Sequence, residues 1–121
     1  MSANEQHAKR RAALEDLLHL RTTVREATER LSSFGWDSST DLVTLTPEIA
    51  RAVAAGVADG RISPNEATAW ADAIEAREDV GFPDDSERLL KDFLFSFANP
   101  ELTEPVDRET AASWAERLRT P

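Results

Sequence analysis

The sequence predicts an all-α fold, a single-domain antiparallel bundle of about five helices. Three observations carry this. Alanine supplies much of the 40% apolar content and there are four glycines, both of which favour helices. Tyrosine is absent and β-branched runs are few, which argues against a sheet protein. Apolar residues recur at spacings of three and four between residues that start and stop helices. The 121 residues suffice for one domain spanning 1–121, enough to bury about two thirds of the surface of the unfolded chain.

A helix is expected over 8–32. Ala13, Leu17, Leu20, Val24, Ala27, Leu31 and Phe34 alternate spacings of four and three, a heptad-like seam that Leu14 and Leu18 widen. Arg25 and Glu29 form a favourable pair opposite the seam, and Arg21 and Arg25 an unfavourable one. Residues 33–46 read as a loop: Ser, Gly and Asp break the period, and Phe34 and Trp36 are placed to pin it to the core. Asp41 to Leu45 alternates weakly, but a lone strand lacks a partner, so this stretch is expected to be an extended connector.

A helical core is expected over 47–121. Thr46 caps a second helix with Pro47 at its first position, and Ile49, Val53 and Val57 line one side. Gly60 stops that helix. Ser63-Pro64-Asn65-Glu66 is a capping box that opens a third helix, reaching to about Glu78, with Ala67, Trp70, Ala71 and Ile74 on its inner face. Asp79 to Pro83 reads as a turn, and Asp84 or Asp85 as the cap of a fourth helix. Leu89, Leu90, Phe93, Leu94, Phe97 and Ala98 make that helix's apolar stripe, while Phe95 lies off it, against the N-terminal helix or exposed. After Asn99-Pro100 and an extended link, Asp107 caps a last helix that buries Ala111, Trp114, Ala115 and Leu118.

The net charge of −9 is uneven, +1 over residues 1–30 and −10 over 31–121. Such a body repels phosphate backbones, so nucleic acid is excluded as a partner, whereas a basic protein would be attracted. The absence of cysteine removes disulfides, thiol catalysis and thiolate metal sites. No apolar run is long enough to span a bilayer, and Met1-Ser2-Ala3-Asn4-Glu5 lacks the apolar core of a signal peptide. No membrane association and a cytoplasmic location are the expectation.

The residues that could carry chemistry are few. Asp59, Gly60, Ile62 and Glu66 stand where a calcium-binding loop places an acidic ligand, its glycine, its apolar residue and its bidentate glutamate. That register puts Ala55 and Val57 at the first and third ligand positions, where neither offers a side-chain oxygen. The stretch therefore reads as helix punctuation. His7 and His19 are twelve residues apart and do not share a helix face. There is no H-E-x-x-H, no nucleophile elbow and no glycine-rich phosphate loop. The sequence thus carries no catalytic, metal or cofactor site, and no enzyme is expected.

What remains is a surface. Eight acidic groups against three basic ones lie between Asp72 and Asp92. Asp72, Glu75 and Asp79 are spaced to share one strip of the third helix, with Glu78 beside them. Asp84 and Asp85 add to it, and Phe82 is a candidate apolar anchor. These seven residues are the candidate partner-binding set, for a basic protein. The alternative is a dimerisation or interaction module that uses the N-terminal seam, with a homodimer as its product.

Asp59-Gly60-Arg61-Ile62-Ser63-Pro64-Asn65-Glu66 leading to Trp70, followed by Ala98-Asn99-Pro100-Glu101-Leu102 before a last short helix, resembles the small acidic helical immunity proteins of bacterial toxin systems. In style it is similar to the colicin D-type self-protection family, over about residues 40–118. The resemblance implies a protein without activity of its own that masks the active site of a basic cognate toxin with acidic side chains. The N-terminal seam has no counterpart in that family.

Overall fold

Four helices in this chain begin where a hydroxyl or a carboxylate takes up a backbone N–H that the helix itself leaves unpaired. The computed structural model describes residues 3–34 and 42–119. Among these residues are six helices and two short strands. In chain order they are α1 (Ala3–Leu18), α2 (Val24–Ser32), β1 (Val43–Thr44), α3 (Pro47–Ala58), α4 (Pro64–Glu75), β2 (Val80–Gly81), α5 (Glu87–Ala98) and α6 (Arg108–Arg117). The fold is mostly helical, as expected, but with six helices in place of five and a two-stranded parallel sheet that the sequence did not announce.

The extra helix arises because the segment over 8–32 is two helices. Thr23 takes an extended conformation and its hydroxyl accepts from the backbone N–H of Glu26 at 3.1 Å, starting α2 afresh. Leu20, at φ +50°, turns the chain between α1 and α2. The turn preserves the apolar phase, so the seam runs across the break as if one helix continued. Its side chains are spent inside the molecule: Leu17, Ala27 and Leu31 are fully buried, Ala13 and Val24 nearly so. Leu20 and Phe34, at the ends of the two helices, are half-buried. At the same corner, Asp16 accepts from Arg30 at 2.7 Å and lies 3.6 Å from Arg21; these guanidinium groups hold its carboxyl below the usual value. Arg25 and Glu29 pair at 3.2 Å.

The stretch expected to be an unpaired connector is β1. Val43 pairs with Val80 and Thr44 with Gly81, in parallel. The Leu42 N–H donates to the Asp79 carbonyl at 2.8 Å and the Leu45 N–H to the Gly81 carbonyl at 2.9 Å. A parallel partner has to return through a long crossover. Here that crossover is α3 and α4, so the partner lies far along the chain and was read as a turn. Trp36 and Asp41 lie outside the described residues, while Phe34 is half-buried against the core.

The caps at Thr46, Ser63 and Asp107 are in place, accepting from the N–H groups of Ile49, Glu66 and Thr110 at 3.3, 3.1 and 2.8 Å. Two boundaries differ from expectation. The third helix ends at Glu75 rather than Glu78, and α5 follows Ser86, which makes no side-chain cap, with Asp84 and Asp85 in the preceding turn.

The core forms where α3 packs on α6 and α4 on α5, with α1 and α2 closing one side. Phe93 lies at its centre, with Trp70, Phe97 and Trp114 ring centroids 5.9, 4.5 and 5.4 Å away. The Trp70 indole N–H donates to the carbonyl of Leu18, the last residue of α1, at 3.2 Å. A large apolar side chain thereby also satisfies an unpaired helix-end carbonyl.

Candidate functional site

Helix α4 buries Ala67, Trp70, Ala71 and Ile74, with Ala69 and Ala73 packed beside them, so its outward face is left to the polar positions. Asp72 and Glu75 are exposed there, three residues apart on one side of the helix. Ala76 ends the helix, and Glu78 is exposed in the bend that follows. Asp84 and Asp85 are exposed in the turn before α5. Among the described residues none of these five carboxylates forms an ion pair, whereas Glu87, four residues before Lys91, pairs with it at 3.5 Å.

Asp79 must be removed from this set. Its side chain is fully buried, because the chain leaves α4 before reaching it and enters the sheet. Arg77 grips both its oxygens, at 2.8 and 2.9 Å, and Arg10 of α1 lies 2.8 Å from Oδ2. Burial pushes the Asp79 carboxyl up, but the two guanidinium groups outweigh it and hold the group below its ordinary value. Its backbone carbonyl accepts from Leu42 and Val43 at 2.8 and 3.3 Å. Asp79 thus joins α1, the end of α4 and the sheet, and has no surface left to offer.

Phe82 is half-buried and packs on the core, but it also lines a groove between α4 and α5. The groove has a volume of about 460 Å³. The buried residues Ile74 and Leu94 line it, together with Phe95, which is 47% exposed. Phe95 is therefore the exposed alternative of the two that its off-stripe position allowed, and no periodicity argument had assigned it a site. Glu75 stands on the rim. Burial first, and the neighbouring Asp72 second, push its carboxyl above the usual value. Lys91 lies over the Phe82 ring, 5.6 Å from its centroid.

The loop that resembled a calcium site is a corner between helices. Gly60 adopts φ +87°, and Asp59 folds back onto Arg61, accepting from its backbone N–H at 3.1 Å and its guanidinium at 2.9 Å. Ala55 and Val57 lie within α3. The Glu66 carboxylate accepts from the Val24 N–H at 3.3 Å, at the start of α2, which replaces the reciprocal half of the expected capping box. A larger cavity, about 780 Å³, lies between this corner and the α1–α2 turn. Its arginines are already engaged, Arg21 with Asp16 and Arg61 with Asp59. His7 is exposed and His19 lies 3.4 Å from Glu15. Among the described residues no three metal-ligating side chains converge, and no helix is long and apolar enough to cross a membrane.

No family model matches this sequence, and neither a curated protein nor a solved structure matches it.

Proposed function

We propose that this chain is a cytoplasmic, non-catalytic binding protein that docks a basic protein on the face formed by Asp72, Glu75, Glu78, Asp84 and Asp85, in the manner of an immunity-type inhibitor masking a basic toxin. One observation carries the reading: five carboxylates between residues 72 and 85 are exposed with none in an ion pair among the described residues, and one of them, Glu75, lines an apolar groove. Asp72 and Glu75 repel one another in the free protein, and a cationic partner relieves that repulsion as it binds. A partly apolar, aromatic-walled centre with a charged rim is the arrangement of a protein-binding surface. The net charge of −9 extends the attraction beyond contact and speeds the encounter. The resemblance at residues 59–66 and 98–102 supports an inhibitor as the specific form of this role.

The test is calorimetry between the full chain and a basic protein encoded beside it, at two salt concentrations. Affinity is expected to fall as salt rises, and to fall by roughly tenfold or more in the Asp72→Lys, Glu75→Lys double variant, since like charges brought together at an interface are strongly unfavourable. Glu29→Lys, on α2, serves as the control with a reversed charge elsewhere. If the double reversal binds as tightly as the unaltered chain, this face is not the docking surface.

A further inference from the structure

We infer that the groove between Phe82 and Phe95 is an anchor pocket that takes an aromatic side chain of the basic partner, with an arginine beside that side chain meeting Glu75 and Asp72. The inference rests on the reading of a basic partner and goes further, to the chemistry of the contacting residues.

Three features of the groove select this occupant. The first is its buried lining. Ile74 and Leu94 are held in the core at 1% exposure each, so packing fixes these two lining residues of the groove. An apolar group placed against them needs no rearrangement of either, which keeps the entropic loss on binding small.

The second is its walls. Phe93, Leu94 and Phe97 of α5 are buried, yet Phe95 between them is 47% exposed and lines the groove with Phe82. Two phenyl rings bordering a cavity of about 460 Å³ suit a third ring, which can meet their faces and edges. An aliphatic side chain would fill the space without that ring-to-ring complementarity.

The third is the charge of its rim. Arg77 is taken up by the buried Asp79, and Lys91 is shared between Glu87 and the Phe82 ring. The charge left open is that of Glu75 and its neighbour Asp72, and burial of Glu75 together with the repulsion between them already penalises the Glu75 carboxylate. A cation adjacent to the inserted ring answers that penalty. Arginine fits better than lysine because its planar fork can bond a carboxylate through two N–H groups at once. Glu78 and Asp84 lie three and two residues along the chain from Glu75 and Phe82, positions from which they meet further basic residues of the same segment.

The test is an NMR titration of the isotopically labelled full chain with three acetylated, amidated pentapeptides: Arg-Arg-Trp-Arg-Arg, Arg-Arg-Ala-Arg-Arg and Glu-Glu-Trp-Glu-Glu. The basic tryptophan peptide is expected to shift the amides of Glu75, Phe82 and Phe95 and to bind roughly tenfold more tightly than the alanine peptide. Phe95→Ala, at a position where the exposed ring does not support the core, is expected to remove most of that advantage. Equal affinity for the two basic peptides, with shifts at Asp72, Glu78 and Asp84, sinks the anchor pocket and leaves the basic-partner reading standing. Shifts nowhere on this face sink both. Equally tight binding of the acidic tryptophan peptide overturns the role of Glu75 and Asp72. Shifts at Phe95 that grow with protein concentration alone assign the groove to a second copy of the chain and overturn the inference as well.

Discussion

Arg10 and Asp79 are 69 residues apart in the sequence, and the Arg10 Nε–H donates to the Asp79 carboxylate at 2.8 Å in the interior. Arg77 completes the arrangement from the other side, so one buried carboxylate serves two guanidinium groups that are themselves nearly buried, at 8% and 4% side-chain exposure.

Removing that carboxylate's charge leaves two buried cations without it. Asp79→Asn is therefore expected to destabilise the fold by about 3 kcal/mol or more, the usual consequence of deleting one partner of a buried pair. Urea denaturation followed by circular dichroism measures it. A loss below about 0.5 kcal/mol, typical of a surface position, would show that Asp79 is not the keystone described.

Acid probes the same group. Because the folded value of Asp79 is depressed, its stabilising contribution is fully present above the unfolded value of about 3.9 and is lost as pH falls through the folded value. Asp16 is depressed as well, by Arg30 and Arg21, and adds in the same direction. Glu75 is raised and acts oppositely, gaining stability as it takes up its proton. Urea midpoints are expected to change little from pH 7 to 5, then fall steeply below about pH 4, with a shallower fall in Asp79→Asn. Parallel curves for the two proteins would contradict this.

The break between α1 and α2 can be tested through its cap. Thr23→Ala removes the acceptor for the Glu26 N–H and is expected to lose about 1 kcal/mol. Val24→Glu, one residue on, places a carboxylate where the side chain is 6% exposed. Size-exclusion chromatography and circular dichroism should show an unfolded chain rather than a dimer resolved into folded monomers. Folded monomers would return the seam to the surface.

Unpaired surface charge leaves a mark on stability. Asp72 and Glu75 repel across one turn of α4, so Glu75→Gln is expected to raise stability by about 0.2–0.5 kcal/mol at neutral pH while weakening a basic partner. Thermal melts of the two proteins in low salt check the first half. A lowered melting temperature would show that Glu75 has a structural partner.

Much of the fold was legible because it is written locally. The hydroxyl and proline at Thr46-Pro47 and Ser63-Pro64 and the carboxylate of Asp107 announce helix starts, since the group that caps lies within three residues of the N–H it serves. The Thr23 start was also written, as a threonine three residues before Glu26, but the apolar phase running through it masked the signal. The surroundings of the candidate residues were half legible. Asp72, Glu75, Asp84 and Asp85 are exposed and Phe82 is half-buried against the core, whereas Phe95 lines the groove from a helix whose stripe pointed elsewhere.

The sequence by itself determined the helical class, three of the caps, the apolar faces of α3 to α6 and the excess of acid along 72–92, all of which depend on spacings within a few residues. The tertiary structure alone decided which acid is surface and which is core. Asp72, Glu75 and Asp79 look equivalent by helical spacing, but helix α4 ends at Glu75 and the strand after it pairs with β1, carrying Asp79 inward to Arg10. Burial and ion pairing across 69 residues are properties of the packed chain, and no local period encodes them.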